Sequence, residues 1–217
     1  MSDLAFLEST RSSYDSAAVG YVEHIGADLR DRPLDRALLG LFAELAPPGP
    51  IADVGCGAGR VTAFLHKLGR DVFGVDLSPG MLEQAGSLAP ELRFEVGDMR
   101  ELDVEPASLA GLIAWFSTIH LPPEHLPGVF AGFHRALVPG GLLMLAFQIG
   151  DDPRHYTEGW GGKVDLTLYR RQPAAVIELL TGIGFQLQTT VLQEPPDDGR
   201  QFGAAHLILR KAAMPAA

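Results

Sequence analysis

Cysteine occurs once in the 217 residues, at Cys56. A single cysteine excludes an internal disulfide and a cysteine-rich zinc site, and no metal-ligating set is expected. Basic charge is also scarce. Lys and Arg number 17 against 27 Asp and Glu, a net charge of -10. That balance argues against a general affinity for nucleic acid, which needs a basic footprint. No apolar run approaches a membrane span. The opening Met1-Ser2-Asp3 lacks a basic region followed by an apolar core, so no signal peptide is expected and the cytoplasm is the expected compartment. What remains is ordinary for a globular core, 47% hydrophobic and 20% charged, with a length that fits one domain and an appended element or two.

The informative stretch is Ile51-Ala52-Asp53-Val54-Gly55-Cys56-Gly57-Ala58-Gly59-Arg60. A short apolar run leads into three glycines at alternate positions. Val61, Phe64, Leu65 and Leu68 then follow at helical spacing, and Gly69 stops them. This reads as a buried strand, a tight turn and a helix. Glycine lets the backbone turn sharply and lets a ligand approach closely. The helix N-terminus beyond it suits an anionic group. The spacing is G-x-G-x-G, whereas dinucleotide enzymes place the third glycine one residue later.

Around that unit the chain divides into further elements. Two helices precede it. One spans about residues 14–29, with Tyr14 and Tyr21 on its stripe, and one follows Pro33. Strands are predicted at 70–76, 92–96, 112–116 and 142–147, with helices at about 79–86 and 126–137 between them. Residues 148–163 are polar and glycine-rich and read as a long loop. Beyond it come a strand at 164–169, a helix at 173–181 and two strands at 185–192 and 204–209, joined through a turn-rich 195–199. A tail follows at 212–217.

Two positions stand out by chemistry. Asp76 ends the second strand, 21 residues after Gly55. An acidic residue at about that distance holds a ribose hydroxyl pair in nucleotide-binding βαβ units. The other reading, a helix cap, is already served by Ser78-Pro79. His120 lies in the loop 117–123 after the fourth strand, where ligands of open α/β sheets sit. It reads either as a general base or as a structural or substrate-contact histidine.

The run from Asp53 to Gly59 resembles motif I of the class I S-adenosylmethionine (SAM) dependent methyltransferases, D/E-x-G-x-G-x-G. Asp76, the Gly97-Asp98-Met99 element and the Pro139-Gly140-Gly141 turn follow in the family's order. The resemblance covers about residues 49–209. It implies a Rossmann-like three-layer α/β/α sandwich on a seven-stranded, mostly parallel sheet whose last strand is antiparallel. It also implies a division into an N-terminal helical lid (1–46) and a SAM-binding core (47–217) with a substrate-side insertion at about 148–171. The implied reaction is methyl transfer from SAM; the acceptor is not readable, and the acidic charge, the small size and the absence of an RNA-binding domain favour a small molecule. The alternatives are a non-catalytic SAM-binding or regulatory protein and a nucleotide-dependent oxidoreductase.

On that resemblance Gly55, Gly57 and Gly59 cradle the methionine part of SAM, with Asp53 beneath the turn. Arg60 lies near the methionine carboxylate, or else is an exposed residue at the helix start. Cys56 is a small filler on the cofactor side, the sharper alternative being a catalytic thiol. Asp76 takes the ribose. Leu77 and Met81 contact the adenine, Asp98 accepts from its amino group, and Met99 offers its backbone N–H. For Asp98 the plain alternative is a turn residue. Trp115 joins the cofactor contacts at the fourth strand's end. Tyr14 and Tyr21 either touch SAM or are core aromatics.

Overall fold

A computed structural model describes residues 5–195 and 202–212. Helices α1 (Ala5–Ile25) and α2 (Pro33–Leu45) open the chain. The alternating core follows as β1 (Ile51–Val54), α3 (Arg60–Lys67), β2 (Val72–Asp76), α4 (Pro79–Leu88), β3 (Phe94–Val96), β4 (Leu109–Trp115), α5 (Leu126–Ala136) and β5 (Leu137–Gln148). The remainder is β6 (Pro153–Gly159), β7 (Gly162–Tyr169), α6 (Pro173–Ile183), β8 (Phe185–Gln193) and β9 (Ala204–Lys211). Seven strands form one sheet in the order β3-β2-β1-β4-β5-β9-β8. Strands β1 to β5 pair in parallel, and β9 runs antiparallel between β5 and β8. The fold is therefore the expected Rossmann-like sandwich.

Both faces of the sheet are covered, so its central strands read as continuous apolar runs rather than alternating ones. Phe130 and Phe133 of α5, with Val176 and Leu180 of α6, fill one face. Leu39 and Phe42 of α2, with Val61 and Leu65 of α3, fill the other. Helix α2 is thus part of the core layer, and α1 alone lies across the end of the sheet, against β7 and α4. Strand order reverses between β1 and β4, which opens a cleft at the strands' carboxyl ends.

Three elements differ from the sequence reading. Helix α1 begins at Ala5 rather than near Tyr14 and stops at Ile25, where Gly26 takes a φ of 88°. Helix α5 stops at Ala136, and Leu137 is the buried first residue of β5. The Pro139-Gly140-Gly141 turn is a bulge inside that strand, since its register on β4 jumps from Leu109↔Leu137 to Gly111↔Leu142. The third difference is the largest. Residues 153–159, read as loop, form β6 and pair with β7 as a separate antiparallel hairpin. Its two turn residues, Trp160 and Gly161, have φ of 48° and 81°, the signature of a type I′ turn. Tryptophan is strained at that φ, and its packing against Tyr14 and Tyr21 compensates, with ring centroids 5.4 and 5.0 Å apart. Most of the turn at 195–199 and of the tail at 212–217 lies outside the described residues.

Candidate active site

The cleft at the ends of β1, β2 and β4 is roofed by α1 and measures about 1020 Å³ out to its mouth. With the open solvent at its mouth included, that lies just above the usual range of about 300–1,000 Å³ for ligand-binding clefts. Its floor is the glycine turn. Gly55 has a φ of 73°, and a side chain there would run into Ser117, whose hydroxyl donates to the Val54 carbonyl at 2.6 Å. Glycine at 55 therefore lets the loop after β4 close onto β1. Gly57 donates its N–H to Asp76 Oδ2 at 2.7 Å. Gly59 does not line the cleft. It sits at the head of α3 with a φ of 77°, and a Cβ would lie 2.7 Å from Phe94 and 3.1 Å from Ala85. Its place is in packing the helix against the sheet, not in the cradle the sequence reading assigned to it.

Two carboxylates below the turn have distinct surroundings. Asp53 is 1% exposed and accepts from the Thr62 hydroxyl at 2.7 Å. Burial pushes its carboxyl up to about 7 against the opposing Thr62 bond. Asp76 stands at the mouth of β2. Besides Gly57 it accepts from the Ser78 N–H at 2.9 Å. Burial raises it, and the backbone donors work against that rise. Ser78 caps α4 as expected, accepting from the Met81 N–H at 3.1 Å. Leu77 and Met81 line the cleft beside it. Asp98 and Met99 line its far end. Asp98 also behaves as a turn residue, capping the short turn Met99–Glu101 and holding Arg100 at 2.8 Å. Cys56 is a free buried thiol in the lining, and burial pushes it well above its ordinary value, away from the thiolate a nucleophile needs.

Two donors in the lining have no partner. Arg60 Nη1 and Trp115 Nε1 are both buried and unbonded among the described residues. Arg60 is therefore not an exposed helix-start side chain. A buried donor left unbonded costs about 1–3 kcal/mol, and both of these atoms are free to meet an acceptor.

The roof is aromatic. The Tyr14 hydroxyl lies 2.8 Å from His120 Nε2, and His120 Nδ1 lies 3.2 Å from the Thr167 carbonyl. A carbonyl only accepts, so Nδ1 carries the hydrogen and Nε2 accepts from Tyr14. Burial drives His120 down to about 4 and Tyr14 well above its usual range. The pair is neutral at pH 7, and the free lone pair that a general base requires is already occupied. Tyr21 also lines the cleft, and burial raises it too. Helix α1 is tied down at both sides. Asp15 Oδ1 accepts from the Ser78 hydroxyl and the Gly80 N–H at 2.6 and 2.9 Å. Ser9 and Ser13 bond Asp165 of β7.

Of the residues singled out from the sequence, all but Gly59 line this one cleft. Sequence reasoning missed Phe6, Leu7, Thr10 and Arg11, because α1 starts nine residues before its regular apolar stripe. It also missed Phe116, whose φ of 54° is a strained position at the cleft wall. No sequence signal marks that strain.

This arrangement defines an open-sheet α/β protein with a ligand cleft at its switch point. Residues 51–141 match the family model described as a methyltransferase domain. A carboxy-S-adenosyl-L-methionine synthase from Chromohalobacter salexigens is 38% identical over 52% of this chain and 45% of its own length. A trans-aconitate 2-methyltransferase from Streptomyces avermitilis is 33% identical over 76% of this chain and 66% of its own. The matched part thus spans less than two thirds of either relative. A SAM-dependent methyltransferase structure from Methanosarcina mazei superposes with a TM-score of 0.70 at 17% identity, covering 83% of this chain and 98% of its own, a likeness of fold. Residues 51–141 are thus a methyltransferase domain, and over it the chain is similar to SAM-dependent methyltransferases. Among the described residues no helix is long and apolar enough to cross a membrane.

Proposed function

We propose that the protein transfers the methyl group of SAM to a small-molecule acceptor, in the cytoplasm. The observation that carries this reading is the pair of unpartnered buried donors, Arg60 Nη1 and Trp115 Nε1, in a cleft that also holds the Asp76 carboxylate. A methionine carboxylate suits the first two, and a ribose diol suits the third. On this reading Gly55 and Gly57 approach the methionine backbone, with Cys56 filling space beside them. Leu77, Met81 and Met99 sandwich the adenine, and Asp98 is within its reach. Gly59 and Asp53 support the turn from behind. Helix α1 is the lid, with Tyr14 and Tyr21 on its inner side, and the β6–β7 hairpin braces it as the substrate-side insertion.

When bound, SAM supplies an electrophilic methyl group on a sulfonium. The chain's own task is then approach geometry and exclusion of water. His120 serves this by holding the Tyr14 hydroxyl in place. It acts as a positioning residue rather than as a free base. Small acceptors agree with the trans-aconitate named for the Streptomyces relative and with the acidic charge of the chain.

Thermal denaturation with added ligands tests the reading. SAM or its demethylated product S-adenosylhomocysteine (SAH) is expected to raise the melting temperature by mass action, and NAD is not. Stabilisation by NAD alone overturns it.

A further inference from the structure

We propose that His206 is the reserve acceptor of the Trp115 indole N–H, which passes between the imidazole behind it and the cofactor's methionine carboxylate in front of it. His206 is thereby a positioning residue that sets how tightly that end of the cofactor is held. The inference rests on the methyltransferase reading and adds a second partner to one of its groups.

Six buried side-chain atoms have no partner among the described residues, and four of them lie together on one face of the sheet. Trp115 ends β4, and its register partner Ala146 on β5 stands opposite His206 on β9. The three form a row across the sheet at the end where the cleft opens. Trp115 Nε1 and both His206 ring nitrogens are unbonded. Gln148, two residues beyond Ala146, falls on the same face by strand alternation, and its Oε1 is unbonded too. Ala146 is the small residue between the two rings, and over it indole and imidazole meet with centroids 5.1 Å apart.

His206 is 2% exposed, and packing alone does not call for an imidazole here. Each buried, unbonded ring nitrogen carries a desolvation cost that an apolar side chain of similar shape avoids. The backbone is also bent to meet this ring. Neighbours along a strand point to opposite faces, yet Trp115 and Phe116 both reach His206, the second edge-on at 5.9 Å. The φ of 54° at Phe116 breaks the alternation, a strained position of the kind that persists at functional sites.

Donor and acceptor types decide what the imidazole does. An indole only donates, an amide oxygen only accepts, and a neutral imidazole does one of each. Burial lowers His206 below its ordinary value, against the pull of Asp35 on α2 and of the Val191 carbonyl, so the ring is neutral at pH 7. Val191 draws on the ring from β8 without completing a hydrogen bond to either nitrogen. Among the three side chains only one order leaves no atom unpaired: Trp115 donates to His206, and His206 donates to Gln148. An N–H···N bond of about 3 Å, with about 1 Å from each nitrogen to its ring centre, spans about 5 Å, which is the separation found. A turn of the imidazole in its broad χ2 well makes that bond. On the cleft side the same indole stands in the wall with Arg60, whose Nη1 is unbonded. A carboxylate held there accepts more strongly than a neutral imidazole. The cofactor therefore draws the N–H forward, and His206 takes it back as the product leaves.

The test reads the indole directly in the full chain, the Trp115 signal being the one that Trp160→Phe leaves. In nitrogen-15 spectra without ligand, Trp115 Nε1–H is expected to show a coupling through the hydrogen bond to a His206 nitrogen. Saturating SAH is expected to abolish it, and SAH with its carboxyl group replaced by hydrogen is expected to leave it in place. In titration calorimetry, His206→Phe should tighten SAH about twofold to tenfold, the worth of one neutral hydrogen bond. The same variant should leave the affinity for decarboxylated SAH unchanged, and His206→Gln, which keeps an acceptor, should fall between. The coupling is read on the parent, so it decides the matter even if a variant does not fold. No coupling without ligand, a coupling that persists under SAH, or a His206→Phe protein that binds SAH no more tightly than the parent overturns the proposal. Failure of SAH to bind the parent at all is a different result, because it removes the methyltransferase reading itself.

Discussion

Replacing Asp76 by alanine separates two jobs that one carboxylate performs. The side chain accepts from Gly57 and Ser78 within the protein, at 2.7 and 2.9 Å, and on the proposed reading it also accepts from the ribose hydroxyls of SAM. A hydrogen bond to a charged group contributes about 1.5–3 kcal/mol. At roughly 1.4 kcal/mol per decade, its loss weakens SAM binding about tenfold to a hundredfold. The fold is expected to change less. Gly57 and Ser78 both border the cleft, so water can reach the N–H groups left behind. Removal of a carboxyl raised by burial offsets part of their loss. Asp76→Asn keeps one acceptor oxygen and should fall between. A second ligand tells the ribose contact from a loosened glycine turn. SAH lacking both ribose hydroxyls should bind the parent weakly and should be insensitive to Asp76→Ala. Titration calorimetry of both proteins with both ligands closes this cycle. If the alanine variant binds SAH as tightly as the parent, or loses equal affinity for the two ligands, the ribose assignment is refuted.

Two further outcomes follow from the same geometry. Asp53, held near 7 by burial against an ordinary value of 3.8, binds a proton more readily folded than unfolded, so its contribution to stability falls as pH rises from about 4 to about 7. Asp53→Asn, which can still accept from Thr62, should be more stable than the parent above pH 7 by up to about 4 kcal/mol. That advantage should fade toward pH 4 in denaturant titrations, and an advantage independent of pH sinks the argument. Gly20→Ala should stabilise α1 by about 1 kcal/mol if helix propensity decides. Its Cβ, however, would run into the Trp160 carbonyl, so loss of SAH affinity with an intact core is expected instead, and a gain in affinity shows that the hairpin yields.

The half of the site built from contiguous chain was legible in the sequence. Gly55, Gly57, Asp76 and Asp98 follow strands whose apolar runs are short and sharply ended, so each strand end could be placed to within a residue or two. Gly59 was misassigned because the sequence shows that a glycine is needed but not what approaches it. Phe94, 35 residues on, is what does. Helix α1 was underestimated for a related reason. It buries Ser13, Ala17 and Ala18, small residues that fit between α4 and β7 but give no apolar stripe.

The other half joins segments 47 to 156 residues apart, and there local pattern carries no information. Ser9 and Ser13 meet Asp165, and Tyr14 meets His120, which meets Thr167. Ser9, Ser13, Asp165 and Thr167 are unremarkable in their own segments, and nothing local shows that Tyr14 and His120 meet. The hairpin hid for the same reason. Six of the seven residues of β6 are exposed, so it has no alternation to read, and its turn begins with a tryptophan where glycine or asparagine would have signalled a type I′ turn. Trp160 holds that strained position because its ring rests on Tyr14 and Tyr21 of the lid. Local strain and distant packing thus balance each other. The hairpin turn packs on α1, and α1 is bonded to the hairpin through Ser9 and Ser13 and to the head of α4 through Asp15.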